Sequence, residues 1–323
     1  MDGKAATHGA LGYEGPEKTL EVSFVPDEGH GLHAVRQAQW ETVLEHARCR
    51  ILSESRSAAV VAFVLSESSL FVYPWKLFLK TCGTTTLLAC LPSLFEITTA
   101  LGMRLDWLRF SRKNFTFPSD QTYPHTSFPE EIAFCMDKVV RDSMSGLAQV
   151  LGDADNWNVL MVSSPELMRA PPDEAVLNVM MYDMAPDVLA IFAPRPGEDE
   201  RQAAARAIDE ARLTAVLPGH AFDAWMFRPC GFSLNALCGD AFATIHVTPE
   251  PAFSYASFET NARFGDALLH NLTRVFKPTR LTVTVFAGCE PLCAALPGYR
   301  LLNQHSTLFQ NNIRASLANF STA

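Results

Sequence analysis

Val64-Leu65-Ser66-Glu67-Ser68-Ser69-Leu70-Phe71-Val72, followed eight residues later by Lys80-Thr81-Cys82-Gly83-Thr84-Thr85, is the stretch on which the fold turns. Its apolar runs, Ala58–Leu65 and Ser69–Lys80, read as two strands, the second interrupted at Pro74-Trp75. Between them sits the polar word Leu-Ser-Glu-Ser, at 65–68. The same word occurs at 52–55, where it reads as a polar turn closing a strand. Four common residues prove nothing alone, so only their surroundings can separate the two copies.

The pattern extends outward on both sides. From Lys18 to Val25, Leu20, Val22 and Phe24 alternate with Glu21 and Ser23, the period of a half-buried strand. A helix is expected over residues 34–48. Thr84 stands where an N-cap would, ahead of a helical run from Thr85 to Leu101. Leu105, Trp107 and Arg109 alternate in the next strand. The second half repeats the rhythm: strand pairs over Phe222–Leu237 and Phe242–Phe258, a helix over 262–276 and a strand over Leu281–Phe286. Two strand-strand-helix-strand passages with short connections predict antiparallel sheets carrying helices on their outer faces. A doubly wound parallel fold would need regular strand-helix alternation. The middle, 140–220, offers a strand at Trp157–Val162, a break at Ala170-Pro171-Pro172 and an amphipathic helix from Asp199 to Leu213, with no chemistry on its face.

Composition narrows the function classes. With 48% hydrophobic and 19% charged residues, the 323-residue chain has the balance of a soluble globular protein. The longest apolar run, the eight residues Ala58–Leu65, is far short of a bilayer span, so no membrane is expected. A net charge of −9 without a basic stripe argues against nucleic acid. The start, Met1-Asp2-Gly3-Lys4, shows no secretory signal, so a cytoplasmic address is expected and the eight cysteines read as reduced thiols. Cys289-x3-Cys293 and Cys230-x7-Cys238 fit no common zinc module, and no metal is expected.

The second Leu-Ser-Glu-Ser copy, with Lys80–Thr85 behind it, resembles the processing site of the eukaryotic-type S-adenosylmethionine decarboxylases. Further blocks follow in family order: Tyr13-Glu14-Gly15-Pro16-Glu17-Lys18; Ser111-Arg112-Lys113-Asn114-Phe115 with Tyr123-Pro124-His125 and Glu130-Glu131; Phe227-x-Pro229-Cys230-Gly231-Phe232-Ser233-x-Asn235; Thr244-Ile245-His246-Val247-Thr248-Pro249-Glu250; and Phe253–Thr260. Residues 135–220 and the tail after 290 match poorly.

The resemblance implies an α+β fold, a four-layer α/β/β/α sandwich of two antiparallel sheets, internally duplicated, in one domain over 1–323. It implies a proenzyme that cuts itself between Glu67 and Ser68 into 1–67 (β chain) and 68–323 (α chain). Ser68 becomes a pyruvoyl group, the cofactor, which forms a Schiff base with S-adenosylmethionine. Decarboxylation needs an electron sink that no ordinary side chain supplies, and the product feeds spermidine synthesis. By the same resemblance His246 and Ser233 serve processing and Cys82 is the proton donor. A helix start just after Cys82 would favour its thiolate. Tyr13 and Phe227 hold adenine, Glu250 the ribose, Glu67 belongs to the binding site, and Glu14 and Glu17 are functional acids. A putrescine-like pocket is matched by Glu21, Asp173 and Glu259, with Lys80 and Arg112 as basic links and Arg109 at an aromatic position of the animal pocket, as in plant members.

Taken without the resemblance, each residue has a plainer role. His246 would be a satisfied buried strand residue, Ser233 a loop serine, Cys82 a small core residue, and Glu14 and Glu17 exposed strand-edge charges. A catalytically inactive paralogue acting as a regulatory partner, or a nucleoside-binding module, is the rival reading. The presence of Ser68, His246 and Cys82 together favours the enzyme. The sequence leaves a homodimer open.

Overall fold

Lys18–Phe24 forms the first strand, β1, and its alternation places Leu20, Val22 and Phe24 on a face that is buried under helices. The other elements of this half are α1 (Gln37–His46), β2 (Ile51–Arg56), β3 (Val61–Leu65), β4 (Ser68–Val72) and β5 (Lys76–Thr81). They are followed by α2 (Leu91–Ala100), β6 (Leu105–Lys113), α3 (Phe128–Val139), β7 (Ser145–Leu151) and β8 (Trp157–Ser163). The computed structural model describes residues 12–25, 29–139, 144–153, 155–163, 175–287, 295–309 and 313–323. They fall into two compact units. The first comprises residues 16–170 with 309–311, and the second comprises 1–15, 171–308 and 312–323.

In the first unit an eight-stranded antiparallel sheet runs in the order β2-β3-β4-β5-β1-β6-β8-β7. Trp40, Val43 and Leu44 of α1, Leu91 and Leu94 of α2, and Cys135 and Val139 of α3 cover one face, against Leu20, Phe63, Leu79 and Phe110. The second unit holds β9 (Ala175–Met184), α4 (Pro186–Ile191), α5 (Glu200–Glu210), α6 (Leu213–Val216), β10 (Ala221–Met226), β11 (Phe232–Cys238) and β12 (Ala241–Thr248). It continues with β13 (Tyr255–Thr260), α7 (Asp266–Phe276), β14 (Pro278–Ala287), β15 (Tyr299–Leu308) and β16 (Arg314–Thr322). Its sheet runs β10-β11-β12-β13-β9-β14-β16-β15, which is the first order with eight added to each strand number. The duplication inferred from the sequence is therefore complete at the level of strand order, and the α+β antiparallel class holds.

Several local expectations change. The 52–55 copy of Leu-Ser-Glu-Ser is not a turn: it lies inside β2, where Ser53, Glu54 and Ser55 face Val64, Phe63 and Ala62. An edge strand tolerates such polar residues because one side of it meets no partner. Thr84 caps no helix. The chain turns at Gly83, with φ +63°, passes through a short 3-10 turn at Leu87–Cys90, and enters α2 only at Leu91. The helix expected over Asp199–Leu213 is α5 but stops at Glu210: Arg212, at φ +52°, breaks it and Leu213 opens α6. At its start Asp199 accepts from the Arg201 and Gln202 amides and Gln202 reaches back to the Asp199 amide.

Candidate active site

In the first unit, Ser66 and Glu67 form the two-residue turn between β3 and β4, with Leu65 opposite Ser68. Two-residue hairpins favour a residue of positive φ inside the turn. Neither Ser66 nor Glu67 has one, and Ser68 instead sits at φ +139° while buried. A non-glycine residue in that region carries about 1–3 kcal/mol of strain. The carbonyl just before it is held on both sides of Cys82. The Cys82 amide donates to the Glu67 oxygen at 3.1 Å, and the Cys82 thiol lies 3.4 Å from the same oxygen. Cys82 is half-buried and follows β5, so the helix-start argument for its thiolate does not apply.

Two rows of charge occupy the first sheet. Glu21 of β1 pairs with Arg109 at 2.7 Å and with Lys76 at 3.5 Å, and Lys80 pairs with Glu17 at 3.6 Å. Burial lowers the Lys76 pKa, with Glu21 pulling it back. Glu17 is buried, not an exposed edge charge, and so is Glu14 in the second unit. Arg112 shares the helix-covered face with Leu108 and Phe110. It turns away from Glu21 and Arg109, and its Nε lies 2.8 Å from both Glu131 oxygens. Arg112 therefore does not stand in the row of Glu21, Lys80 and Arg109. Asp173 lies outside the described residues.

In the second unit, Ser233 on β11 is directly opposite His246 on β12, so both are strand residues and Ser233 is no loop serine. Thr244, on the same face, lies 3.3 Å from His246 Nε2. Glu259 of β13 faces Thr244 on one side and Asn178 of β9 on the other. Farther along, the Tyr13 amide donates to Glu250 Oε2 at 2.9 Å. Gly15 packs on the Tyr255 side chain so closely that an added Cβ would lie 2.7 Å from its Cβ and 2.8 Å from the ring. Phe227 is half-buried at the turn closed by its own amide donating to the Gly231 oxygen at 2.7 Å. Cys230, in that turn, has its thiol pKa raised by burial and then by Glu250. Tyr13 and Glu250 are thus pinned together.

A family model described as adenosylmethionine decarboxylase matches residues 10–297. The S-adenosylmethionine decarboxylase proenzyme of Dictyostelium discoideum is 37% identical over 96% of this chain and 86% of its own. Proenzyme 3 of Arabidopsis thaliana is 38% identical over 88% and 86%, and the Zea mays proenzyme 36% identical over 86% and 73%. This chain belongs to the adenosylmethionine decarboxylase family. A solved structure of the Trypanosoma brucei AdoMetDC-delta26 monomer shares the fold, with a TM-score of 0.62 at 23% identity over 79% of this chain and 99% of that one.

Among the described residues, no group of three or more His, Cys, Asp or Glu side chains is arranged to hold a metal ion, and the described cysteines are all free thiols. No helix among the described residues is long and apolar enough to cross a membrane. Sequence reasoning assigned no role to Lys18, Gln121, His125 or Glu131, which form a buried polar cluster on the helix-covered face of the first sheet. A signal for Lys18 was available, since it is in phase with Leu20, Val22 and Phe24.

Proposed function

We propose that the chain is an S-adenosylmethionine decarboxylase made as a proenzyme, cut by its own Ser68 into 1–67 and 68–323, with the pyruvoyl cofactor arising from Ser68. One observation carries this reading: the Glu67 carbonyl is held by the Cys82 amide and thiol immediately before a serine strained at φ +139°. Ser68 Oγ attacks the Glu67 carbonyl carbon. The negative charge that develops on the carbonyl oxygen falls where the Cys82 N–H already points. Breaking the C–N bond frees the Ser68 amine and leaves an ester. Ser68 then loses its Cα proton and expels the Glu67 carboxylate. The resulting dehydroalanine takes up water and releases ammonia, leaving the pyruvoyl group.

We assign removal of the Cα proton to His246, an imidazole able to act as a base near neutral pH, and support of the ester step to its strand partner Ser233. The pyruvoyl group, once formed, supplies the carbonyl that withdraws electrons as carbon dioxide leaves. Cys82 delivers a proton to the substrate carbon. Tyr13 and Phe227 offer ring faces for adenine and attract the sulfonium. Glu250 accepts from the ribose hydroxyls, and Glu14, Glu17 and Glu67 complete the site. After the cut, β1 of the 1–67 fragment still lies between β5 and β6 of the other fragment, so the two pieces stay associated.

The experiment is intact-mass measurement of the purified protein with and without Ser68→Ala. Wild type should give two co-purifying fragments split before residue 68, the larger one blocked at its N-terminus. Ser68→Ala should remain one chain, and Ser55→Ala should cut normally. Self-cleavage of Ser68→Ala would sink the mechanism, and an uncut, inert wild type would favour a regulatory paralogue.

A further inference from the structure

Cys82 is fixed from outside the chemistry. Lys18 is fully buried, and its Nζ donates to the Gly83 carbonyl at 2.9 Å and to Gln121 Oε1 at 3.2 Å. Gly83 is the residue after Cys82. Five residues farther on, the Leu88 amide donates to His125 Nε2 at 3.3 Å. An Nε2 that accepts carries no proton, so the His125 ring is neutral and protonated on Nδ1. That Nδ1 donates to Glu131 Oε1 at 2.7 Å, and Arg112 holds both oxygens of the same carboxylate. Burial pushes the His125 pKa well down, with Lys18 and then Arg112 adding to the effect, which keeps the acceptor form. The Glu131 pKa is raised to about 7 by burial, against the pull of Arg112 and Lys18. The Phe115 ring lies under both cations, 5.3 Å from Lys18 Nζ and 4.1 Å from the Arg112 guanidinium.

The segment between these anchors, residues 83–88, contains no α-helical turn of its own. Its internal bonds include Thr85 Oγ1 donating to the Cys82 carbonyl at 2.8 Å and bonding Thr81 Oγ1 at 2.9 Å. A buried lysine, glutamine, histidine, glutamate and arginine around one short segment is costly unless every member is satisfied. The satisfied bonds here lead to two backbone groups, Gly83 O and Leu88 N–H. The geometry points to a clamp: Lys18 with Gln121 at one end and His125 with Glu131 and Arg112 at the other hold residues 83–88, and so set Cys82 against the Glu67 carbonyl. These are positioning residues for self-cleavage and for the later proton delivery. The inference rests on the function proposed above.

The test uses full-length precursor, freshly synthesised, with the rate of appearance of the cut fragments followed by mass spectrometry. Turnover per processed site is measured separately. Lys18→Met keeps the length of the side chain but cannot donate, and should slow self-cleavage about tenfold, the scale of a small misplacement of reacting groups. In the processed fraction kcat should fall by a similar factor while KM stays within about twofold, because substrate contacts are untouched. His125→Leu should behave alike. His125→Gln, whose amide oxygen can still accept from Leu88, should recover most of the rate, which a role in packing alone would not produce. Should Lys18→Met fail to fold by circular dichroism, Gln121→Leu removes the second Lys18 partner and the 3.5 Å bond from Gln121 Nε2 to the Gly83 carbonyl, and should still slow cleavage about threefold. Folded Lys18→Met, or in its place Gln121→Leu, with both rates unchanged would overturn the clamp, as would His125→Gln no faster than His125→Leu. Wild type run in parallel separates the two readings. If it neither cuts nor decarboxylates, the proposed function falls and the clamp with it; if it does both, only the clamp is at stake.

Discussion

The two units share one strand order and differ at the hairpin that matters. In the second unit β11 and β12 are joined by Gly239-Asp240, with Cys238 opposite Ala241 and Gly239 at φ +63°. That is an ordinary two-residue turn, with the positive φ on the residue best able to adopt it. In the first unit the equivalent strands β3 and β4 are joined by Ser66-Glu67, and the positive φ falls on Ser68. The scaffold is therefore able to make the relaxed turn and makes it in the second unit. At the bond proposed above to be cut, the turn lacks glycine and the strain sits on Ser68, the residue proposed to attack. On the same scaffold the second unit places a serine and a histidine directly across β11 and β12.

The division of labour makes its largest prediction at His246. If strained Ser68 performs the acyl shift and His246 only the later proton removal, His246→Ala should stop processing after the ester has formed. Hydroxylamine cleaves esters far faster than amides, so it should split this variant at position 68. Resistance to hydroxylamine would remove His246 from the role assigned to it and break the division between the two units.

The turn itself gives a smaller effect. Replacing Ser66-Glu67 by Asn-Gly supplies residues suited to positive φ within the turn and should let Ser68 relax. Releasing about 1–3 kcal/mol of ground-state strain corresponds to slowing by roughly fivefold to a hundredfold if all of it bears on the barrier. Self-cleavage of this variant should slow while its thermal stability rises. Unchanged cleavage in a more stable protein would mean that the strain does not assist the reaction.

Much of this was legible in the sequence, and the exceptions have physical causes. β1 was readable because its two faces differ: Leu20, Val22 and Phe24 pack under helices and Glu21 faces the other way. Its counterpart β9 was not, because Val176, Leu177, Val179, Met180 and Met181 are all buried and no alternation survives. The edge strands β7 and β15 were missed for other reasons. β15 is largely exposed and polar, β7 is mostly half-buried with no clean alternation, and their pairing to β16 and β8 is set by strand register rather than by local pattern. Of the site, Ser68, Cys82 and His246 were visible only through the family blocks around them. The Ser233–His246 pairing and the hold on Glu67 depend on strand register, which the sequence does not state. Thr84 misled as a cap because a 3-10 turn intervenes before α2.

The smallest expected effect concerns putrescine, and it too rests on a difference between the units. Across the strands β5-β1-β6, Glu21 faces Phe78 on one side and Arg109 on the other, and the Arg109 guanidinium lies 2.7 Å from the Glu21 carboxylate, both buried. Across β13-β9-β14 the register reads Glu259, Asn178, Thr284, with a neutral amide on the central strand where β1 carries the acid Glu21. A fixed guanidinium already meets the acid that a diamine would seek, and a second pair of charges would have to shed water beside a like charge. Activity should therefore stay flat as putrescine is added at constant ionic strength, a condition needed because a dication also screens surface charge. A saturable several-fold rise would overturn the prediction. Arg109→Phe sharpens it, since removing the guanidinium leaves Glu21 with the more distant Lys76 at 3.5 Å and opens its other oxygen to a diamine nitrogen. A response to putrescine that appears only in this variant would show that Arg109 occupies the electrostatic role of the ligand, whereas a variant that stays flat would remove Arg109 from that role.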